Sequence, residues 1–416
     1  PEMSRGLGDV YKRQVARIIR NREVIGEKNI RIYLGGNLSD LSDPHQMKDM
    51  DRLVEILAQK IRKQVHIRII GDYDVDGVTS SHLFLTALRR VGAKVDVVIP
   101  HRIQDGYGLS LHLLQQAKED GVDTILTCDN GIAAIDEIAW AKAQKMTVLV
   151  TDHHAVPFEE HEGRRTEKKS LADAVVNPHQ QDCGYPYKEL CGAGVAWNVI
   201  RVLYENYDMD KREAEDLLDF VAMATVCDVM SLTGENRILV KEGLKRIRHT
   251  KNIGLQALMQ ACNVQPENIS AYHFGYVLGP CVNATGRLDT ARHALRLFET
   301  GQETEAEEIA RDLVDLNQER KELTLQGVEM AKKLCEEGGY ENDPVLVLFL
   351  PDVHESIAGL IAGRIREMYN RPVFVLTRGE EGVKGSGRST ENYSMYENMC
   401  GLSLIHISEP TRHLRI

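Results

Sequence analysis

Three aspartates occupy alternate positions in the stretch GDYDVDG at residues 71–77. Asp72, Asp74 and Asp76 follow a largely apolar segment, residues 67–70, which predicts a buried strand, and they precede a predicted helix. Carboxylates this close together repel one another, and a bound cation relieves that repulsion. Side chains at alternate positions of extended backbone point the same way, so the spacing indicates a site for a hard divalent metal ion. The alternative is an acidic, solvent-exposed turn whose aspartates cap a helix.

Further acids and histidines directly follow other apolar segments: Asp129, Asp152, His153, His154 and Asp228. The segments that precede them are residues 124–127, 147–150 and 217–226. A set of carboxylates with one imidazole favours Mn²⁺, with Mg²⁺ as an alternative, whereas zinc more often recruits thiolates. Two such ions about 3.5–4 Å apart are suited to phosphoryl hydrolysis, because they activate water and neutralise developing negative charge. Adjacent histidines also occur on exposed loops or as hydrogen-bonded core groups, which is the alternative explanation for this pair.

Predicted strands and helices alternate around these residues. Strands separated by helices of this length are typical of a parallel sheet with right-handed crossovers. Ligands of such sheets bind at the carboxyl ends of the strands, so we expect the acids and histidines to meet at that edge. Upstream of the first aspartates, residues 31–34 predict a strand and residues 43–64 a helix. The remaining predicted elements of this region are residues 95–99, 110–119, 133–144 and 174–176.

From residue 192 the sequence is mainly helical, and a second α/β region follows it. Apolar residues recur at helical spacing over residues 303–337, which predicts one helix of roughly 50 Å. This length exceeds that of an ordinary core helix, so we expect it to connect two domains. Residues 345–350, 356–369 and 372–376 then predict strand, helix and strand, before a glycine-containing turn at residues 384–389. The sequence therefore predicts a two-domain α/β protein with a cleft between the domains.

The composition sets limits on location and partners. The chain has 416 residues, 43% of them hydrophobic, which is enough for more than one core. Its net charge of −11 argues against a non-specific duplex binder with a basic face, although metal-binding carboxylates also add to an acidic total. Eight cysteines without a CxxC pair favour reduced thiols in the cytoplasm over a disulfide framework or a zinc site. No apolar run is long enough to span a bilayer, so no membrane association is expected.

Four motifs in a fixed order resemble the DHH phosphoesterase superfamily: GDYDVDG (71–77), CDNG (128–131), TDHH (151–154) and CDVM (227–230). Two more, LGPCVNATGRL (278–288) and GSGRS (385–389), are similar to the RecJ-like family within it, and the second marks the DHHA1 domain of that family. The resemblance covers roughly residues 60–400. It implies a parallel-sheet DHH catalytic domain joined by a long helix to a smaller α/β DHHA1-type domain. The metal ligands that it implies are Asp74, Asp76, Asp129, His153 and Asp228.

The same resemblance implies roles for further residues. His154 is expected to contact the scissile phosphate, and Asp72 is expected to be a metal ligand or to support one. Asn283 and Arg287 are expected to line the substrate cleft, and the alternative is an ordinary loop with a helix-capping turn. Cys281 departs from the family pattern, because a basic residue that would supply one phosphate contact is expected there.

The GSGRS motif is expected to bind substrate through Ser386, Gly387 and Arg388. Two glycines around a serine allow successive backbone N–H groups to form an anion-binding nest. Arg388 adds a forked donor that suits phosphate. A plain surface hairpin turn is the alternative.

The expected domain limits are residues 15–300 for the DHH domain, 301–338 for the connecting helix and 339–401 for a partial DHHA1 domain. Residues 1–14 and 402–416 lack a pattern continuous with their neighbours and resemble translated sequencing-adapter DNA, so we expect non-native tails there. Members of the family continue past GSGRS to a Gly-Gly-His segment and an OB-type barrel for single strands. Neither precedes the second tail, so we expect a C-terminally truncated chain.

The expected function is Mn²⁺- or Mg²⁺-dependent hydrolysis of phosphodiester bonds in single-stranded DNA. The resemblance implies 5′-to-3′ exonuclease action that releases 5′-mononucleotides in DNA repair and recombination, with a single-strand-binding protein or a helicase as partner. One alternative keeps the chemistry on a smaller substrate, as a nanoRNase or cyclic-dinucleotide phosphodiesterase of the same superfamily. Another is a non-catalytic partner in a replication complex.

Overall fold

The computed structural model describes residues 2–102, 105, 108–161, 164–288, 291–340, 343–379, 382–395 and 398–399. The chain divides into two compact units, the first made of residues 1–283 and 290–311 and the second of residues 284–289 and 312–416. Residues 402–416, for which we expect a non-native tail, lie outside the described residues.

The strands of the described residues are β1 (Ile67–Ile70), β2 (Val95–Val98), β3 (Thr124–Cys128), β4 (Thr147–Thr151), β5 (Phe158–His161), β6 (Arg164–Glu167), β7 (Ala174–Val176), β8 (Leu346–Phe349), β9 (Val373–Gly379) and β10 (Gly382–Arg388). The α-helices are α1 (Glu2–Asn21), α2 (Glu27–Gly35), α3 (Met50–Arg62), α4 (Val75–Arg90), α5 (Leu111–Glu119), α6 (Ile135–Ala143), α7 (Gly192–Asn206), α8 (Lys211–Glu215), α9 (Leu218–Cys227), α10 (Gly234–Arg246), α11 (Ile253–Ala261), α12 (Ala271–His273), α13 (Gly279–Leu288), α14 (Ala291–Glu299), α15 (Glu303–Gly338) and α16 (Glu355–Tyr369). A π-helical segment, Phe274–Leu278, joins α12 to α13.

The first unit contains a five-stranded sheet in the order β2-β1-β3-β4-β7, with every neighbouring pair parallel. This confirms the predicted α/β fold with a parallel sheet. All four residues of β1 are buried, and its one charged residue, Arg68, is paired with Asp96 at 2.9 and 2.7 Å and with Asp120 at 2.8 Å. Because the strands run in the same direction, the residues that follow β1, β3 and β4 lie at one edge of the sheet.

The second unit contains a three-stranded sheet in the order β10-β9-β8. β8 pairs with β9 in parallel, and β9 pairs with β10 in antiparallel fashion. Leu346 and Leu348 of β8 point into a core that also contains Val328 and Ala331 of α15 and Ile361 of α16. The alternating burial of β8 therefore follows from a sheet covered by helices on one face.

Several sequence-based element predictions are wrong. Residues 31–34 belong to helix α2, not to a strand, because a short apolar run does not distinguish the two periods. The helix expected over residues 43–64 is shorter, since a separate 3₁₀ turn, Pro44–Gln46, precedes α3. Helix α1 covers most of residues 1–14, where no regular element is predicted. The turn expected at residues 384–389 is mostly strand β10.

Two observations concern the cysteines and the helices of the described residues. Their cysteines are all free thiols. None of the helices in the described part of the chain has the length and apolar character required to cross a membrane.

Candidate metal centre

The acidic turn after β1 is built by the start of helix α4. Asp72 is buried, while Asp74 is the N-cap of α4 and its carboxylate accepts the N–H of Gly77 at 3.0 Å. Asp76 lies in the first helical turn. The expectation of three carboxylates aligned along extended backbone is therefore wrong, because the helix begins at Val75. A Cβ on Gly77 would lie 2.4 Å from the carbonyl oxygen of Asp72, so this fold-back requires glycine.

The N-terminus of α7 closes on Asp76 from the other side. The two carboxylate oxygens of Asp76 accept the backbone N–H groups of Gly192 at 2.6 Å and Ala193 at 2.7 Å. Burial raises the pKa of Asp76, and the charge of His153 and these two N–H donors act in the opposite direction. A Cβ on Gly192 would lie only 2.6 Å from the Cβ of Asp129. Glycine therefore allows α7 to approach two acids at once.

Asp129 follows β3 in a turn that is fixed by its neighbour. It has a positive φ of 59°, and the amide of Asn130 donates to the carbonyl oxygens of Ile70 at 3.0 Å and Cys128 at 2.9 Å. The pKa of Asp129 is raised well above its ordinary value, first by burial and then by the surrounding carboxylates, of which Asp76 is the strongest. A divalent cation would remove the repulsion that raises this pKa.

His153 lies at the centre of the acidic cluster and provides the test of metal binding. Its buried Nε2 lies 3.1 Å from a carboxylate oxygen of Asp129 and 3.6 Å from those of Asp76 and Asp228. Within the described residues, no group forms a hydrogen bond with this nitrogen. Burial lowers the pKa of His153, which favours the neutral imidazole that a metal ion requires. This nitrogen faces three carboxylates and makes no hydrogen bond in the described part of the chain, so it could coordinate a cation that the carboxylates also bind.

Asp152 orients the histidine pair. One carboxylate oxygen accepts the backbone N–H groups of His153 at 2.7 Å and His154 at 3.0 Å, together with ring Nδ1 of His154 at 2.7 Å. The other accepts the N–H of Ile132 at 2.9 Å. Although burial raises it, the pKa of Asp152 falls to about 2, because these donors and the charge of His154 stabilise the carboxylate. The sequence analysis assigns no role of its own to Asp152, although it is the first residue of the DHH motif.

Asp228 completes the cluster as the C-cap of α9. Three sets of residues in the described part of the chain have ligand atoms within 4.8 Å of one another: Asp76, His153 and Asp228; Asp129, His153 and His154; and Asp72, Asp74 and Asp129. Because the sets share Asp129 or His153, they define neighbouring cation positions. The oxygen-rich ligands fit Mn²⁺ or Mg²⁺ better than zinc.

The predicted residues of the LGPCVNATGRL segment have structural contacts. The side chain of Asn283 accepts the N–H of Val75 at 3.1 Å, so it caps helix α4 next to the acidic turn. Arg287 belongs to the second unit and donates to the carbonyl oxygen of Ser356 at 2.5 Å. The substrate-binding role of both residues stays a prediction. The alternative of an ordinary loop with a helix-capping turn is wrong, because both residues lie in helix α13 (Gly279–Leu288).

The prediction that the backbone N–H groups at Ser386 and Gly387 converge to form an anion-binding nest is wrong. Both residues lie in β10, opposite Val375 and Phe374 of β9, and successive N–H groups of a strand point in opposite directions. A Cβ on Gly387 would lie 2.7 Å from the sulfur of Met395, so this glycine serves close packing.

Arg388 at the end of β10 is half-buried. Its guanidinium donates to the carbonyl oxygen of Gly387 at 2.9 Å and lies 2.9 Å from where a Cβ on Gly359 would be. Burial, and then the charge of Arg366, lowers its pKa. No ion pair of Arg388 occurs in the described ranges. The role of this residue in substrate binding stays a prediction.

A basic residue missed from the sequence lies beside the acidic turn. The guanidinium of Arg102 lies over the ring of Tyr73, 5.0 Å from its centroid. Arg102 follows β2, so it lies at the same carboxyl edge of the sheet as the acids. The signal for it is a basic pair, His101 and Arg102, one residue beyond the predicted strand at residues 95–99.

The fold and the site together define a DHH-type protein with a centre for divalent cations. A family model described as "DHH family, N-terminal domain" matches residues 66–225. The chain is 35% identical over 413 residues to the single-stranded-DNA-specific exonuclease RecJ of Haemophilus influenzae. The aligned region covers 96% of this chain and 69% of the relative. This chain belongs to the RecJ exonuclease family.

Solved structures agree with this assignment. A crystal structure of exonuclease RecJ bound to manganese has a TM-score of 0.73 and 32% identity, and covers 85% of both chains. RecJ from Thermus thermophilus in complex with Mg²⁺ has a TM-score of 0.66 and 29% identity, and covers 86% of this chain and 47% of that one. The chain spans 64% to 69% of the length of three curated relatives that it matches.

Proposed function

We propose that this chain hydrolyses phosphodiester bonds in single-stranded DNA as a metal-dependent 5′-to-3′ exonuclease that releases 5′-mononucleotides, in DNA repair and recombination. The observation that carries the chemistry is the buried Nε2 of His153 among the carboxylates of Asp76, Asp129 and Asp228, at 3.1 to 3.6 Å. The substrate class is supported by relatives that are specific for single-stranded DNA.

In this proposal two cations, Mn²⁺ or Mg²⁺, are held by Asp74, Asp76, Asp129, His153 and Asp228. When bound, they supply activation of water and neutralisation of the charge that develops on the phosphate. The N–H groups of Gly192 and Ala193 hold the carboxylate of Asp76 in place. Asp72, buried in the same turn, supports the ligands that follow it.

His154 contacts the scissile phosphate in this proposal. Its Nδ1 is directed to the carboxylate of Asp152 at 2.7 Å, so the opposite ring nitrogen, Nε2, is the atom that meets substrate. Because Asp152 stays ionised, it keeps the Nδ1 proton in place and fixes the ring orientation. Asp152 is a positioning residue, and His154 is the group that touches the phosphate.

Further residues bind the strand in this proposal: Asn283, Arg287, Ser386, Gly387 and Arg388. Arg388 is supported by its half-buried charge, which has no acidic partner in the described residues. The proposed domain limits are residues 15–300, 301–338 and 339–401. A single-strand-binding protein or a helicase is the proposed partner, and the free thiols support a cytoplasmic location.

The test compares three substrates with Mn²⁺ present and after chelation: a 5′-phosphorylated single strand, the same sequence as a duplex, and a dinucleotide. The proposal requires metal-dependent release of mononucleotides from the single strand and little from the duplex. Faster hydrolysis of the dinucleotide would instead favour the nanoRNase or cyclic-dinucleotide alternative. Absence of turnover on all three would favour a non-catalytic partner.

A further inference from the structure

Two exposed tyrosines in the first unit are stacked on each other. The ring centroids of Tyr272 and Tyr276 are 5.2 Å apart, and the ring planes differ by 22°. Tyr272 is 63% exposed and Tyr276 is 73% exposed. Tyrosine rings are enriched at binding surfaces, so an exposed stacked pair is a candidate surface for a flat apolar partner.

The segment that carries the pair is fixed to the end of α9. Tyr276 lies in the π-helical segment Phe274–Leu278, where the carbonyl oxygen of Phe274 accepts the N–H of Gly279. The thiol of Cys227 donates to the same oxygen at 3.3 Å. A Cβ on Gly279 would lie 2.3 Å from the sulfur of Cys227, so glycine is required for this contact.

The anchor of the tyrosine pair is therefore adjacent in sequence to the candidate metal centre. Cys227 directly precedes Asp228, whose carboxylate lies 3.6 Å from Nε2 of His153. Val229 follows with a positive φ of 58° and is 87% exposed. Single π-helical turns are common at functional sites. The contacts of Cys227 thus fix the segment that carries the tyrosine pair next to Asp228, the candidate ligand, and to the exposed side chain of Val229.

We propose that Tyr276, supported from below by Tyr272, stacks on a nucleobase of the single strand whose backbone is held at the metal centre. This inference rests on the proposed function and adds a base-binding site to it. Stacking on an aromatic ring accepts every base, which suits an enzyme that must pass along a strand of any sequence. The pair is uncharged, so stacking on it displaces no counterions from the strand and adds binding that does not depend on salt.

The experiment measures binding of a fluorescent oligodeoxythymidylate and of an abasic strand with the same backbone, both made with hydrolysis-resistant phosphorothioate linkages so that the strand stays intact at an unaltered metal centre. We expect Tyr276→Ala to raise the Kd for the thymidylate about tenfold and to leave the Kd for the abasic strand unchanged. The slope of log Kd against log salt stays the same, because no positive charge is removed. Tyr276→Trp retains the binding of the parent. Tyr340→Ala, which removes an exposed tyrosine outside this segment, has no effect.

Two outcomes overturn the inference: an equal effect of Tyr276→Ala on both strands, or no effect on either. Failure of the proposed function is recognised separately, with bis(p-nitrophenyl) phosphate and Mn²⁺. If the otherwise unaltered chain hydrolyses this small diester and Tyr276→Ala does so equally well, the metal centre is active and only base stacking is under test. If the unaltered chain does not hydrolyse it, the proposed function fails instead.

Discussion

Replacing Gly192 with alanine tests how closely the metal centre is packed. The new Cβ would lie 2.6 Å from the Cβ of Asp129 and 3.0 Å from its Cα. Carbon atoms in ordinary contact are about 3.5–4.0 Å apart, so α7 and the Asp129 turn must separate by about 1 Å. The N–H bonds of Gly192 and Ala193 to Asp76, now 2.6 and 2.7 Å, would then exceed hydrogen-bond length.

Two contributions set the size of the effect. Overpacking costs about 1–3 kcal/mol, and each weakened hydrogen bond to a charged group costs about 1.5–3 kcal/mol. Because two such bonds are affected, we expect Gly192→Ala to lower the free energy of unfolding by about 4 kcal/mol or more. A displacement of about 1 Å at a catalytic centre reduces the rate about 100-fold, so we expect a comparable loss of turnover at saturating Mn²⁺.

The assays are urea unfolding without metal and initial rates on a 5′-phosphorylated single strand. Gly194→Ala, two residues along the same helix, is the matched control. Its Cβ would lie 3.3 Å from a terminal methyl carbon of Leu190, which can move, and alanine favours the helix by about 0.5–1 kcal/mol. We expect this control to be active and at least as stable as the parent. If Gly192→Ala were as active and stable as the control, the close approach of α7 to Asp129 would not be required.

Three further predictions concern single side chains. His153→Ala should abolish hydrolysis while the fold, measured by urea unfolding of the metal-free chain, changes by less than about 1 kcal/mol; near-normal turnover at saturating Mn²⁺ would contradict the ligand assignment. Arg388→Ala should lower kcat/KM by about 1–3 kcal/mol, with a greater loss on 5′-phosphorylated than on 5′-hydroxyl strands. An equal loss on both would mean that Arg388 does not bind the 5′ end. Burial raises the pKa of Asp219 to about 6, opposed in part by the hydroxyl of Thr250. The stability that the protonated acid provides is complete below the unfolded pKa of 3.8 and is lost as pH rises through 6. Between pH 4 and pH 8 the parent should therefore lose about 2.4 kcal/mol of stability relative to Asp219→Asn; parallel pH profiles of the two proteins would argue against this.

The sequence was sufficient for the parallel sheet and for the set of acids and histidines. Apolar runs such as Ile67–Ile70 are continuous because central parallel strands are buried on both faces. Sequence order then places the following polar residues at one edge. These properties are local or topological, so they can be deduced without coordinates.

The packing around the site could not be predicted in this way. The N–H donors to Asp76 come from a helix that begins at Gly192, and no local pattern connects the two. The nest expected at Ser386 failed because pairing with β9 overrides the turn preference of glycine. The extended backbone expected for all three aspartates gives way to a helix at Val75, and Asp74 takes the N-cap role that the alternative interpretation assigns to these aspartates.

The separation of the ligands along the chain has a consequence for how this unit folds. Asp76, Asp129, His153 and Asp228 come from four elements, and His153 reaches carboxylates on three others. The aspartates of residues 72–76 supply only part of the ligand set, so tight metal binding also requires the turns that follow β3, β4 and α9. Contacts between residues this far apart in sequence form slowly. Acquisition of Mn²⁺ affinity during refolding should therefore be among the last events, after the sheet and α9 have assembled.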